Sequence, residues 1–392
     1  MEWLGKPILQ LACRHHTGEL HILHTYLECR GNKYTKSDTN SLYKRLHTAW
    51  KILEPLIKSY PEQLLKWNVP AIPDWRCDRA DEVLAWSREM MLNGSFRRVD
   101  HRELLELCVQ YLGGVVVKKL DNGDIKEGFS MRRPIATNQS RFMGTAIHEL
   151  KIAMVLKPGW FELDGDAAEE TEAMAEFISL LWAPYFLQSR LASAAPRLDR
   201  DLWVDLQQYK ACFLEDSMQA AMVEAAMTSL LRHSWYLTQE LVVFALWDSS
   251  ISNAEKRAIA MKIASIPPPP TWSTTKPELL TLLPRLPSKP KLKDMVGERS
   301  HLVFHLLQVG SNWLRQPVRA WSIDLEYVRV GDFLNQLQVV NDSAERCIKD
   351  ITEYRDRTKD SEYREDILLV VNDFRHVFHD KRKEAMARIN YL

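Results

Sequence analysis

Sixteen residues near the start of the chain, Leu9 to His24 (LQLACRHHTGELHILH), hold one Cys, four His and a Glu, with Cys13 and His16 in C-x-x-H spacing. A thiolate and an imidazole on one helical turn are a zinc half-site, but a closed zinc site needs four ligands in tetrahedral array. His15, Glu19, His21 and His24 lie nearby, yet no second Cys or His pair at ligand spacing follows. The residues alone therefore favour a buried Cys and a carbonyl-bound His that fix a strand-to-helix corner. Asp342 and Glu345, in VVNDSAERC, offer a second chemistry. D-x-x-E is first a capping box. As a cation site Glu345 would need companions from elsewhere, because two-metal phosphoryl transfer gathers several carboxylates around two ions. Asp121, Asp124 and Glu127 surround Asn122-Gly123 and read as a hairpin turn. His233 and Trp235 read as core or interface residues of a helix. No G-x-S-x-G, P-loop or G-x-G-x-x-G pattern is present. Arg132, Arg133 and Arg141 are the best basic group for touching phosphates, whereas Lys289, Lys291 and Lys293 read as solvated surface.

The elements that must position these residues are mostly helices. ILQLA at 8–12 predicts a short buried strand, with a helix from about His16 to Glu28. Ser37 to Asn40 supply caps for a helix through Leu42, Leu46, Trp50 and Leu53. Asp100 and Glu103 predict a capping box, with Gly113-Gly114 as the stop. Val115 to Val117 and Asn122-Gly123 predict a small hairpin. Asn138 or Ser140 caps a helix through Phe142, Ile147, Leu150 and Met154. Acidic residues from Asp164 to Glu172 open another, and Pro184 predicts a kink or break. Asp216 to Trp247 reads as one long helix with Met218, Met222, Ala225, Ser229, His233, Tyr236 and Phe244 near one face. Ser252 and Glu255 cap the next. Pro267 to Pro270 favour polyproline II within a linker.

The chain has 392 residues with 52 Lys plus Arg and 52 Asp plus Glu, so its net charge is zero. Nucleic-acid modules are usually basic overall, so DNA contact would need a local patch. Trp is abundant at 13 and Gly sparse at 14, and sparse Gly fits long helices better than a sandwich of tight turns. Six scattered Cys argue against a disulfide framework and for reduced thiols in an intracellular protein. No window reads as a membrane span or signal peptide.

Three stretches, taken in order, add a family. C-R-H-H-x-x-E-L at Cys13 to Leu20, S-R-F-M-x-x-x-I-x-x-L-K at Ser140 to Lys151 and N-D-S-A-E-R at Asn341 to Arg346 together resemble the hAT superfamily of DNA transposases and proteins derived from them. R-H-S-W-Y-L-T-Q-E-L-V at Arg232 to Val242 is similar to such derived proteins. The resemblance implies that Cys13 and His16 form the family's C-x-x-H element and that Arg141 is the Arg of an Arg-Trp pair, here with Phe142. It implies that Glu345 is the third catalytic acid, that Mg²⁺ or Mn²⁺ serves the reaction, and that the protein meets DNA in the nucleus, for which Arg132, Arg133 and Arg141 are the basic group that the residues themselves offer. The family's two aspartates would precede Met1, so the chain is expected to be the C-terminal portion of a transposase-like protein and inactive alone. Its sheet edge would be covered by helices, a second copy or a complementing chain. The expected architecture is mostly α-helical with a small α/β, partial RNase H-like remnant. That remnant would occupy 1–160, a helical insertion 161–265, a Pro-rich linker 266–297 and a C-terminal helical region 298–392. Two rival readings remain: an α-helical interaction scaffold with no nucleic-acid role, and a small zinc-binding regulator built on Cys13.

Overall fold

A computed structural model describes residues 9–31, 41–94, 96, 98–134, 141–272, 288–337, 339 and 340. The chain divides into two units, Met1–Val340 and Asn341–Leu392. The second lies outside the described residues, and Glu345 with it. The protein is mostly helical, with 67% helix, 3% strand and a single small two-stranded sheet among the described residues.

Helix α1 (Arg14–Arg30) runs through the middle of the first unit and lies along α9 (Met218–His233). Helix α2 (Ser41–Ser59) is amphipathic: Leu42, Leu46, Trp50, Leu53 and Ile57 recur at helical spacing, and all are buried. Its Pro55 leaves the apolar stripe unbroken. Helix α3 (Trp75–Asn93) is capped by Asp74, which accepts the Arg76 amide. Helix α4 (Val99–Tyr111) leads to a hairpin of β1 (Val117–Lys119) and β2 (Ile125–Glu127), with Asn122 and Gly123 (φ +89) in the turn as expected.

Helix α5 (Gly144–Val155) is buried on every side, which is unusual for a segment reading GTAIHELKIAMV. Helix α6 (Gly165–Phe177) passes into a π-helical turn at Ile178–Trp182 and then α7 (Ala183–Leu187). Pro184, expected to kink or break the helix, does not end it. Instead the π turn lets the helix continue, and the carbonyl of Leu180, four residues before the proline, accepts the Arg79 Nε–H at 3.0 Å. Helix α8 (Ala195–Lys210) packs against α9, which lies along α1.

The long helix expected over Asp216 to Trp247 ends at Ser234, whose hydroxyl donates to the Leu231 carbonyl. Short 3₁₀ turns follow at Trp235–Leu237 and Val242–Trp247. Those residues are buried almost throughout, so helical periodicity carried no information about their backbone. Helix α10 (Asn253–Ser265) starts at Ser252, whose hydroxyl accepts the Glu255 amide. Helix α11 (Leu302–Leu307) and α12 (Leu325–Gln336) close the described chain around a nest of Trp247, Trp313, Trp321 and Tyr327. One contiguous core joins Ile22 of α1 to Val339. No helix among the described residues is long and apolar enough to cross a membrane.

Candidate functional site

The C-x-x-H turn opens α1. Residues 9–13 form no strand; Cys13 is the half-buried N-cap, without a side-chain capping bond. His16 projects into solvent, 60% exposed at its side chain, and its Nδ1 lies 3.1 Å from Glu19 Oε2. The expected pairing of a buried Cys with a carbonyl-bound His is thus corrected. The buried imidazole is His15, stacked on Phe186 with ring centroids 4.6 Å apart. What fixes this corner is backbone and arginine. The Tyr236 hydroxyl donates to the Ala12 carbonyl at 2.6 Å, and the Arg14 amide donates to the Val339 carbonyl at 2.8 Å. The Arg14 guanidinium turns inward to Asp199 at 2.7 Å. Burial pushes that carboxyl above its ordinary range, while Arg14 pulls it back. Val339 is buried at 2% exposure and stands six residues before Glu345.

Helix α5 carries ionisable groups where a core helix normally carries none. His148, Glu149 and Lys151 are all fully buried. Each is met by a partner from a distant element. Glu149 accepts from Arg30 Nη2 at 2.7 Å and from the Tyr43 hydroxyl at 3.0 Å. Arg30 also reaches Glu170 at 3.0 Å and donates to the Thr171 hydroxyl. Burial, then the Glu149 charge, hold the Tyr43 phenol well above its usual pKa, so it remains a donor. Lys151 Nζ lies 2.6 Å from Glu103 of α4; burial pulls its pKa down and Glu103 opposes the pull. Asp100 and Glu103 therefore form no capping box. Asp100 pairs with Arg98, the actual N-cap residue, and Glu103 serves Lys151.

His148 Nδ1 is 2.7 Å from the Gly144 carbonyl, so that nitrogen carries the proton. Its Nε2 then accepts from His47 Nε2 at 3.2 Å. The ring centroids lie 5.4 Å apart, so the rings meet nearly head-on. That is hydrogen-bond geometry, whereas two ligands of one tetrahedral metal would be angled onto it. Burial, with Lys151 and His47 beside it, lowers His148 to about 4. Burial, then Arg133 and Lys151, lower His47 as well.

His47 sits half-buried on α2, flanked at helical spacing by exposed Lys44 and Lys51, with Arg133 close enough to act on it. The three cations leave this side of α2 basic on balance, with Glu54 also under the influence of Arg133 and paired to Lys58. The sequence carries two of the three as K-x-x-H-x-x-x-K, a helical spacing that sequence reasoning alone missed. Of the expected DNA-contacting arginines, Arg133 is exposed on this face. Arg132 is partly committed to Glu106, 3.8 Å away, and to the Val99 carbonyl. The side chain of Arg141 lies outside the described residues.

His24 Nδ1 and Ser229 Oγ are 2.9 Å apart, a base beside a hydroxyl. Ser229 is buried inside α9, where main-chain amides are engaged within the helix, so no oxyanion donors face it. A cavity of about 40 Å³ beside α1, lined by Arg14, His21, Trp182 and Asp199, has room for a few waters and none for a nucleotide. Among the described residues no three of His, Cys, Asp and Glu converge to hold a metal. Met222, Val223, Ala226 and Leu230 are buried, so their stretch of α9 presents no apolar docking face. The chain matches no family model, no curated protein and no solved structure in the comparisons made with them.

Proposed function

We propose that this chain is a transposase-derived protein of hAT type, built around a partial RNase H-like core, whose ancestral reaction is metal-dependent phosphoryl transfer on DNA. The observation that carries the reading is the hydrogen bond from the Arg14 amide to the Val339 carbonyl. It closes more than three hundred residues of sequence and joins the C-x-x-H turn to the segment that runs on towards Glu345. The resemblance predicts that Glu345 itself lies beside Cys13 and His16, and this bond supports the reading as far as Val339. The basic face of Lys44, Lys51 and Arg133 gives a neutral protein the local patch that duplex contact needs.

In this reading Glu345 is the one catalytic acid that the resemblance assigns to this sequence. One carboxylate cannot hold two Mg²⁺ or Mn²⁺ ions, so these 392 residues bind DNA without cutting it unless companion acids come from outside them. Fluorescence anisotropy with a labelled duplex of about 30 bp, at salt from about 50 to about 200 mM, tests the binding. Affinity should fall steeply with salt, and replacing Lys44, Lys51 and Arg133 by alanine should flatten the log–log slope by about three. Absence of binding at the lowest salt, or a slope untouched by the triple variant, would refute the DNA role. Mg²⁺- or Mn²⁺-dependent cleavage that disappears in Glu345→Gln would overturn the claim of inactivity.

A further inference from the structure

The segment that follows α10 reads Ile266-Pro267-Pro268-Pro269-Pro270-Thr271-Trp272. Proline fixes its own φ near −65° and drives the residue before it out of the helical region. Ile266 already has φ −106° and ψ 126°. Pro267, Pro268 and Pro269 each precede a proline, so their backbones are confined to polyproline II. That helix has three residues per turn, and burial follows the same period. Ile266, Pro269 and Trp272 are half-buried, while Pro267, Pro268, Pro270 and Thr271 are exposed. One edge of the three-sided helix lies on the protein, and the other two face solvent.

Both ends of the segment are held. The Ile266 carbonyl accepts from His301 Nε2 at 2.8 Å. The Trp272 indole stacks on His305 of α11, with centroids 5.0 Å apart and planes 27° from parallel. The four prolines are thus displayed between two held ends, and the backbone bends at Pro270 and Thr271 to bring Trp272 onto His305. Pro267 and Pro270 share one exposed edge, in P-x-x-P spacing, and Pro268 stands on the next.

We propose that Pro267–Pro270 is a docking site for a partner domain that reads polyproline II through an aromatic-lined groove. Such grooves grip two adjacent edges of the ligand helix, and two edges are what this segment leaves open. The segment is already ordered, so its docking loses less conformational entropy than docking of a free peptide. The proposal is independent of the DNA reading, because the prolines take no part in the basic face.

The purified full chain would be titrated into a panel of isolated SH3, WW and EVH1 domains, following the groove tryptophan fluorescence or heteronuclear spectra of each. At least one class should bind. The chain carrying Pro267→Ala, Pro268→Ala and Pro270→Ala should bind at least tenfold more weakly to that class, with an unchanged circular dichroism spectrum, since all three residues are exposed. Releasing the clamp with His305→Ala should weaken binding several-fold, while affinity for a synthetic 264–272 peptide sets the unclamped reference. Failure of every domain to bind the full chain would overturn the proposal, as would binding that survives the triple alanine variant. Binding of the peptide but not of the chain would overturn it too, by showing the edges are occluded.

Discussion

Replacing Glu149 by glutamine tests the buried charge network at its centre. The Glu149 side chain is 0% exposed and that of its partner Arg30 is 2% exposed. The glutamine side chain would keep the shape and one acceptor for the Tyr43 hydroxyl but would remove the negative charge facing Arg30 Nη2. Arg30 would retain Glu170, a quarter exposed and so partly shared with water, and the Thr171 hydroxyl. Breaking a buried pair from one side leaves an uncompensated charge and costs about 3–5 kcal/mol. The remaining neighbours place Glu149→Gln near the lower end of that range and Arg30→Ala, which strands Glu149, nearer the upper. A combined Tyr43→Phe, Arg30→Met, Glu149→Leu variant removes the buried ion pair and the orphaned phenol together. It should recover most of the loss, because well-packed apolar residues often match a buried ion pair. Urea unfolding followed by tryptophan fluorescence measures all three. Single variants within about 0.5 kcal/mol of the parent, the range of an ordinary surface change, would show that α5 is not enclosed as described.

Acid should loosen the fold through its histidines. Burial lowers His148 to about 4 and His21 to about 3, against 6.5 for an exposed imidazole. The unfolded chain therefore takes up protons first, and stability is full above about pH 6.5. It declines as pH falls, by up to about 1.4 kcal/mol per unit for each histidine, and levels off below the folded values. Asp199, whose carboxyl burial raises, acts in the opposite sense, so the contribution is isolated by comparison with His148→Gln. Urea midpoints measured from about pH 7 down to about pH 4.5 should fall less steeply in that variant, and parallel curves would exclude the role. Gly18→Ala opposes two terms: removing a helical glycine gains up to about 1 kcal/mol, and overpacking costs about 1–3. A Cβ at Gly18 would meet Phe186 Cδ2 at 2.9 Å, on a buried ring stacked against Trp182 and His15, so the clash wins. The variant should lower the thermal midpoint, and a raised one would show that α1 is held less closely.

Much of the fold was legible where one face of an element meets water. The stripe of α2, the Asn122-Gly123 hairpin and the Ser252 cap of α10 follow from local pattern alone. The rest was hidden because it depends on partners distant in sequence. Nothing in the sequence marks His148, Glu149 and Lys151 as buried until Arg30, Tyr43, His47 and Glu103 arrive from α1, α2 and α4 to meet them. Asp100 and Glu103 have capping-box spacing, but ion pairing with Arg98 and Lys151 claims both carboxylates. The site was divided in the same way. Arg133 was legible as a charge, while the face it shares with Lys44 and Lys51 needed the fold to bring residue 133 to α2.

The account rests on the closure of the chain at Arg14 and Val339, and a distance measures it. Cys13, Cys77, Cys212 and Cys347 would be replaced by alanine, and spin labels placed on His16→Cys and Gln336→Cys, both at exposed positions. Each position is within three residues of the hydrogen-bonded pair, so at about 3.5 Å per residue the backbones stand less than about 25 Å apart. Pulsed dipolar spectroscopy should return one narrow distribution below about 40 Å once the reach of two labels is added. A broad distribution, or a mean well beyond that, would contradict the closure and with it the transposase-derived core.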